Sequence, residues 1–171
     1  MPETPYNQRT ALLLGQEAVD HLADRHVMVV GVGGVGAYAV EMLARSGVGT
    51  LTIIDADVVS ESNVNRQLPA LISTVGKSKV DVMRRRIMDI NPECKVNAIG
   101  SFVTADNVGV IIDRFAPDFV VDAIDSVAPK VALIEYCYRN KVKLISSMGA
   151  GGRIDPTKVM YADIADTYHD G

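Results

Sequence analysis

Several side chains in this sequence are spaced to handle a nucleotide. Gly31, Gly33, Gly34 and Gly36 lie in VVGVGGVG, a G-x-G-x-x-G pattern directly after an apolar run. The first glycine of such a pattern permits a tight turn. The second lets backbone approach a phosphate, and the third lets the following helix pack close to the strand. That helix adds a partial positive charge facing the anion. Asp55 ends the next apolar run, TLTIID, where an acid hydrogen-bonds ribose hydroxyls in folds of this kind. Asp57 follows, and reads equally as a turn or capping acid and as a ligand. Behind these acids come Asn63, Arg66 and Gln67, in SESNVNRQ, and Lys79, in VGKSK. Their chemistry is that of a displaced phosphate. Negative charge builds on pyrophosphate as the α–β bond of ATP breaks, and fixed cations there stabilise the transition state more than the ground state. Arginine brings a planar fork of donors and lysine a point charge. A hydride-transfer site needs no such set, so a dehydrogenase leaves Asn63, Arg66 and Gln67 unexplained.

Asp125 and Ser126 follow another apolar run, in VVDAIDS. Strand carboxyl ends form the ligand crevice of parallel sheets. An acid there can hold Mg2+, which takes oxygen ligands and bridges phosphates. Asp125 reads also as the N-cap of the next helix, and it can do both. Asp122 reads as structural. His21, His26 and His169 show no triad or metal spacing. Cys94 and Cys137 form no CxxC pair, which excludes a zinc knuckle and a disulfide frame, and both read as structural thiols.

The elements that must position these residues alternate between strand and helix. RTALLLGQEAVDHL (9–22) reads as a helix broken near Gly15. VMVVGV is short and wholly apolar, as expected of a strand buried on both faces. Residues 34–46 read as a helix with Val35, Ala39, Met42 and Leu43 on one stripe, stopped by Gly47 and Gly49. TLTIID is the second strand, and 60–76 is irregular. Residues 77–90 form a helix ended by Asn91-Pro92. KVNAIG is the third strand, 106–115 a short helix opening on an Asp/Asn cap, and DFVVDAI the fourth strand. Residues 127–140 are helical and VKLISSM is the fifth strand. GAGG (149–152) is a second glycine turn, which shapes a pocket or merely turns the chain. KVMYADI (158–164) reads as a further strand. The fold class is therefore α/β: a Rossmann-like, doubly wound, mainly parallel sheet with helices on both faces.

At 171 residues the chain is expected to be one domain, spanning 1–171. Its net charge of −4 argues against a broad basic face and against nonspecific nucleic-acid binding, and no DNA partner is expected. Basic residues cluster at Arg84–Arg86 and at Arg139, Lys141 and Lys143, and read as solvated helix faces. Met1 is followed by polar residues, and no apolar run is long enough to span a membrane, so a cytoplasmic protein is expected. No terminal helix follows the last expected strand, so a shortened chain is expected.

At these residues the chain resembles the adenylating enzymes related to ubiquitin activation, the superfamily of the ThiF, MoeB and HesA proteins. The resemblance rests on GxGGxG, the D-x-D at Asp55 and Asp57, S-x-N-x-x-R-Q, VGKSK and D-x-x-D-S, and runs from Tyr6 to Asp163. It implies ATP- and Mg2+-dependent adenylation of a carboxylate, giving an acyl-adenylate and pyrophosphate. By matching motifs, Asp55 takes the ribose, Asn63, Arg66 and Lys79 the phosphates, and Asp125 the metal. It also implies a homodimer in which the first helix sends Arg9 into the partner subunit's site. NPECKV, VVDAIDSVAPKVALIEYCYRNK and GAGGRIDPTK resemble the branch of tRNA threonylcarbamoyladenosine dehydratases. There the carboxylate belongs to threonylcarbamoyl on adenosine 37 of tRNA, and adenylation leads to the cyclic form. Members of that branch run on beyond this endpoint, so the family's C-terminal portion is expected to be missing. Two alternatives stand beside this one: adenylation of the C-terminus of a small ubiquitin-like sulfur carrier, and a nucleotide-binding module without catalysis.

Overall fold

The apolar run at the start of the nucleotide motif becomes the central strand of a sheet covered on both sides. In a computed structural model, which describes residues 7–149 and 151–167, this strand is β1, His26–Val30. It pairs in parallel with β2, Thr50–Ile54, from His26 opposite Thr50 to Val30 opposite Ile54. On its other edge lies β4, Phe119–Asp122, also parallel. With β3, Lys95–Ile99, and β5, Leu144–Ser146, the sheet has five strands, all parallel, in the order β3-β2-β1-β4-β5. The expected doubly wound α/β class is observed.

Alternation along β1 divides the core. Val27 and Val29, with Leu51 and Ile53, face α3, Gly36–Arg45, and α4, Lys79–Ile90. Met28 and Val30, with Ile54 and Val120, face α5, Val108–Phe115, and α6, Val127–Arg139. The N-terminal helix breaks as expected at Gly15, into α1, Gln8–Leu14, and α2, Gln16–Ala23. His169 and Ala150 lie outside the described residues.

The structure corrects three expectations. Of the expected α3 stripe, Val35 and Met42 point outward while Leu43 packs against the core, and the buried face is Ala37, Val40, Glu41 and Ala44. The reason is Gly36, where any Cβ would drive into the Gly31 carbonyl. That close approach orients α3 on the sheet before its apolar residues are consulted. Secondly, KVMYADI forms no strand. Asp155 and Asp163 each accept a bond from the backbone N–H two residues on and wind short 3-10 turns, Pro156–Lys158 and Ile164–Asp166. Such aspartate turns compete directly with extended pairing. Thirdly, Asn107 occupies the N-cap position of α5 but makes no side-chain cap there. It reaches back instead, accepting from Thr104 N and donating to Phe102 O.

Candidate functional site

The chain runs outward from β1 through β2 to β3, then returns to the other side of β1 as β4. The loops after β1 and β4 therefore diverge, and a crevice opens at the carboxyl ends of these strands. Gly31 makes the turn after β1 with φ +87°, the left-handed region where glycine is favoured. A Cβ there would also stand 2.6 Å from Ala123 O, so the turn lies hard against the loop that leaves β4. No side chain caps α3. At its start the Ala37 amide bonds Gly33 O at 3.3 Å and the Ala39 amide bonds Val35 O at 3.1 Å, and the helix dipole adds partial positive charge facing the turn.

Asp55 leaves β2 beside this turn. Its Oδ2 accepts from Val32 N and its Oδ1 from Asp57 N, each at 2.8 Å. Both oxygens keep lone pairs for ribose hydroxyls. Asp57 resolves differently. Its Oδ2 receives Lys79 Nζ at 2.8 Å, and its carbonyl accepts Lys79 N. A bridge between Val58 and Ser78 draws these segments together. Lys79 is thus buried at the start of α4 and held by Asp57, in line with Met83 and Ile87 on the core stripe. Asp57 therefore pairs with Lys79 through Oδ2 and remains half exposed.

The segment behind the acids folds over the glycine turn. Asn63 closes a 3-10 turn, Glu61–Asn63, by accepting from Ser60 N, and its carbonyl takes the amides of Arg66 and Gln67. Gly33 faces the Gln67 amide at 3.6 Å and Gly34 faces the Arg66 stem at 3.8 Å, measured from a Cβ position on each glycine. Arg66 Nη1 bonds Ser62 O and Asn65 Oδ1, and the guanidinium makes no ion pair among the described residues. Gln67 Oε1 is buried without a hydrogen-bond partner. Such an orphan costs about 1–3 kcal/mol, and the Gln67 atom that faces the turn is Nε2. These observations fit a bound nucleotide.

Asp125 is exposed after β4. The N-cap position of α6 belongs to Ser126, which makes no side-chain cap bond, so Asp125 does not cap the helix. Its Oδ1 receives the Ser126 hydroxyl at 3.3 Å. Among the described residues there is no cluster of three or more His, Cys, Asp or Glu side chains able to hold a metal. One carboxylate suits Mg2+, which keeps waters and takes its other oxygens from phosphates. Arg9 is exposed on α1, which buries none of its own residues. The thiols of Cys94 and Cys137 are buried, and burial pushes each up to about 11, so neither is a nucleophile at neutral pH.

The crevice holds a feature that spacing did not disclose. Asp122 is wholly buried, and its Oδ2 meets Lys130 Nζ at 2.7 Å. Lys130 stands on α6 in line with the buried Leu133 and Cys137. A lysine on an apolar stripe was the available signal. Two cavities, of about 420 and 410 Å³, lie elsewhere. One sits behind α4 beside Arg45 and Arg86, the other between β3 and α5.

A family model described as the ThiF family matches residues 6–170. The chain is 51% identical over 161 residues to the tRNA threonylcarbamoyladenosine dehydratase of Escherichia coli (strain K12), covering 94% of this chain and 60% of that protein. It is 36% identical over 157 residues to the molybdopterin-synthase adenylyltransferase of the same organism, covering 92% of this chain and 58% of that protein. Among solved structures, the E. coli tRNA N6-threonylcarbamoyladenosine dehydratase in complex with ATP superposes with a TM-score of 0.92 at 50% identity, over 95% of this chain and 66% of that one. The chain spans about three fifths of the length of these curated relatives.

Proposed function

The chain belongs to the ThiF family, and on that footing we propose that it catalyses ATP- and Mg2+-dependent adenylation of a carboxylate, that of threonylcarbamoyl on adenosine 37 of tRNA, leading to the cyclic, dehydrated form. The observation that carries this reading is the folding of Arg66 and Gln67 onto Gly34 and Gly33, beside Asp55. A phosphate cradle, a ribose acid and an unpaired guanidinium share one cleft.

In this reading Asp55 accepts the ribose hydroxyls and the glycine turn seats the phosphates. Asn63, Arg66 and Lys79 hold the phosphates, with Lys79 shared between them and Asp57. A carboxylate oxygen of the substrate attacks the α-phosphorus while the α–β bridging bond breaks, and pyrophosphate leaves. Arg66 and Lys79 stabilise the charge that grows on it. A nitrogen within the substrate then attacks the activated carbonyl, AMP leaves and the ring closes. Asp125 is the residue that would hold Mg2+, whose contribution when bound is Lewis-acid neutralisation of phosphate oxygens.

Residues 1–171 act as a single adenylating domain in the cytoplasm, neither embedded in a membrane nor bound to DNA. The partners are tRNA and a second copy of the chain. Leu12, Leu13 and Leu14 are exposed on α1. Docking them on the second copy would carry Arg9 toward the partner subunit's cleft.

Release of AMP tests the reading. Protein, ATP and Mg2+ are incubated with tRNA carrying threonylcarbamoyladenosine, or with a small carrier protein ending in Gly-Gly. Release that depends on the tRNA is expected. Release that depends on the carrier would move the assignment to the second reading, which the identity to a molybdopterin-synthase adenylyltransferase favours. ATP binding without turnover in any mixture would leave a nucleotide-binding module, and binding of NAD but not ATP would overturn adenylation.

A further inference from the structure

We propose that the buried Asp122–Lys130 pair is a positioning device for the metal acid Asp125. This inference rests on the adenylating role proposed for the site. Both oxygens of the Asp122 carboxylate are bonded. Oδ1 accepts from Ile124 N at 3.0 Å, and Oδ2 receives Lys130 Nζ at 2.7 Å and the Ser146 hydroxyl at 2.6 Å. The Lys130 ammonium donates also to Ser146 Oγ at 3.3 Å and to Ser147 O at 2.8 Å. Ser147 N in turn bonds Asp122 O. One ion pair therefore ties together the end of β4, the end of β5 and the first turn of α6.

Residues 123–126 are strung between the two members of this pair. The loop is held at its start by Ala123 N on Val30 O and by the close fit of Ala123 O against Gly31, next through Ile124 N, and at its far end by the helix that carries Lys130. Asp125 stands at its apex, without bonds of its own that would orient it across the cleft. Its direction is set by the residues on either side. Strength is a poor reason for a charge pair at this place. Replacing a buried ion pair by apolar residues of similar size is often neutral or stabilising. What an apolar pair cannot do is bond Ile124 N and Ser147 O, and so hold the loop at one height above the glycine turn.

That difference supplies the test. Lys130→Met alone would strand a buried carboxylate and unfold the region, so the variant to make is Asp122→Leu with Lys130→Met. Its melting temperature is expected to stay within a few degrees of wild type, because removing the desolvated charges offsets the loss of partners for Ile124 N and Ser147 O. Calorimetric titration with ATP is expected to show about tenfold weaker binding than wild type in Mg2+, and equal binding in EDTA, which is also the pattern expected of Asp125→Ala. AMP release should fall with it. A double variant that melts normally and keeps wild-type Mg2+-dependent affinity overturns the proposal, as does one that binds equally weakly with and without Mg2+. Asp122→Met with Lys130→Met carries the same comparison should the leucine not fit. A wild-type protein that fails to bind ATP at all overturns the adenylating role instead.

Discussion

Arg66 and Lys79 are both proposed to face the phosphates, yet their surroundings give substitutions different consequences. Arg66 is exposed and bonds only local backbone and Asn65. Arg66→Ala is expected to leave the melting temperature within a degree or two of wild type. Its kcat should drop about 10²–10³-fold, the cost of one lost transition-state contact. Single-turnover AMP formation measures this. Lys79 is buried, with its side chain 6% exposed, and is neutralised by Asp57, which is 56% exposed. Lys79→Met keeps the packing volume, so it should fold while losing a comparable factor in rate. Asp57→Asn is informative because it frees Lys79. If Asp57 acts only as a counter-ion, ATP binding weakens less than kcat falls, because Lys79 is present but no longer aimed; an unchanged kcat would end that view.

At the scale of elements, the glycine turn and α3 form one unit. Gly36→Ala would press a methyl group into the Gly31 carbonyl. Overpacking of this kind costs about 1–3 kcal/mol, and ATP affinity should fall with the melting temperature; an unchanged affinity would separate the turn from the site. The sheet also carries a titrating residue. His26 accepts or donates at Thr52 Oγ1 over 2.7 Å, and burial holds its pKa below the ordinary 6.5, opposed by the nearby Asp118 carboxylate and helped by Lys95. A base with a depressed folded pKa favours folding while neutral. Its contribution is complete above pH 6.5 and is lost as pH falls from 6.5 toward the folded value. Glu41, bonded by Arg86 and Arg45, has its pKa held below the ordinary 4.5 by Arg86 first. Its contribution is lost only below that pH. Melting curves from pH 8 to 3 should show two steps, and His26→Gln should remove the upper one alone.

At the scale of the molecule, the exposed apolar residues are grouped. Val35, Tyr38 and Met42 run along the outer face of α3, and Leu12–Leu14 stand on α1. Large exposed patches mark contact surfaces. A homodimer is expected at micromolar concentration by light scattering. Leu12→Glu with Leu13→Glu should give monomers that bind ATP but release little AMP, and mixing them with Arg9→Ala protein should restore nothing. A wild-type monomer would remove Arg9 from the site. The Arg84–Arg86 run, read as a solvated face, is divided by the fold: Arg86 closes on Glu41 while Arg84 and Arg85 stay in solvent.

The chemistry proposed for the cleft can be read from sequence because it depends on residue type at short range. A glycine turn, an acid ending a strand and a polar tail are local patterns, and the strand–helix alternation that implies a parallel sheet is local too. What lay beyond reach was decided by contacts between distant segments. The inward face of α3 follows from Gly36 meeting Gly31, not from apolar spacing. KVMYADI alternates like a strand, but Asp155 and Asp163 bond their own backbone. Asp57 found its role only when β2 brought it beside α4, and Asp122 found Lys130 only when α6 packed on β4. The sequence by itself determined which groups could meet a nucleotide. Tertiary structure decided which of those groups are paired with one another, because a buried charge must take its partner from whatever the packing sets beside it.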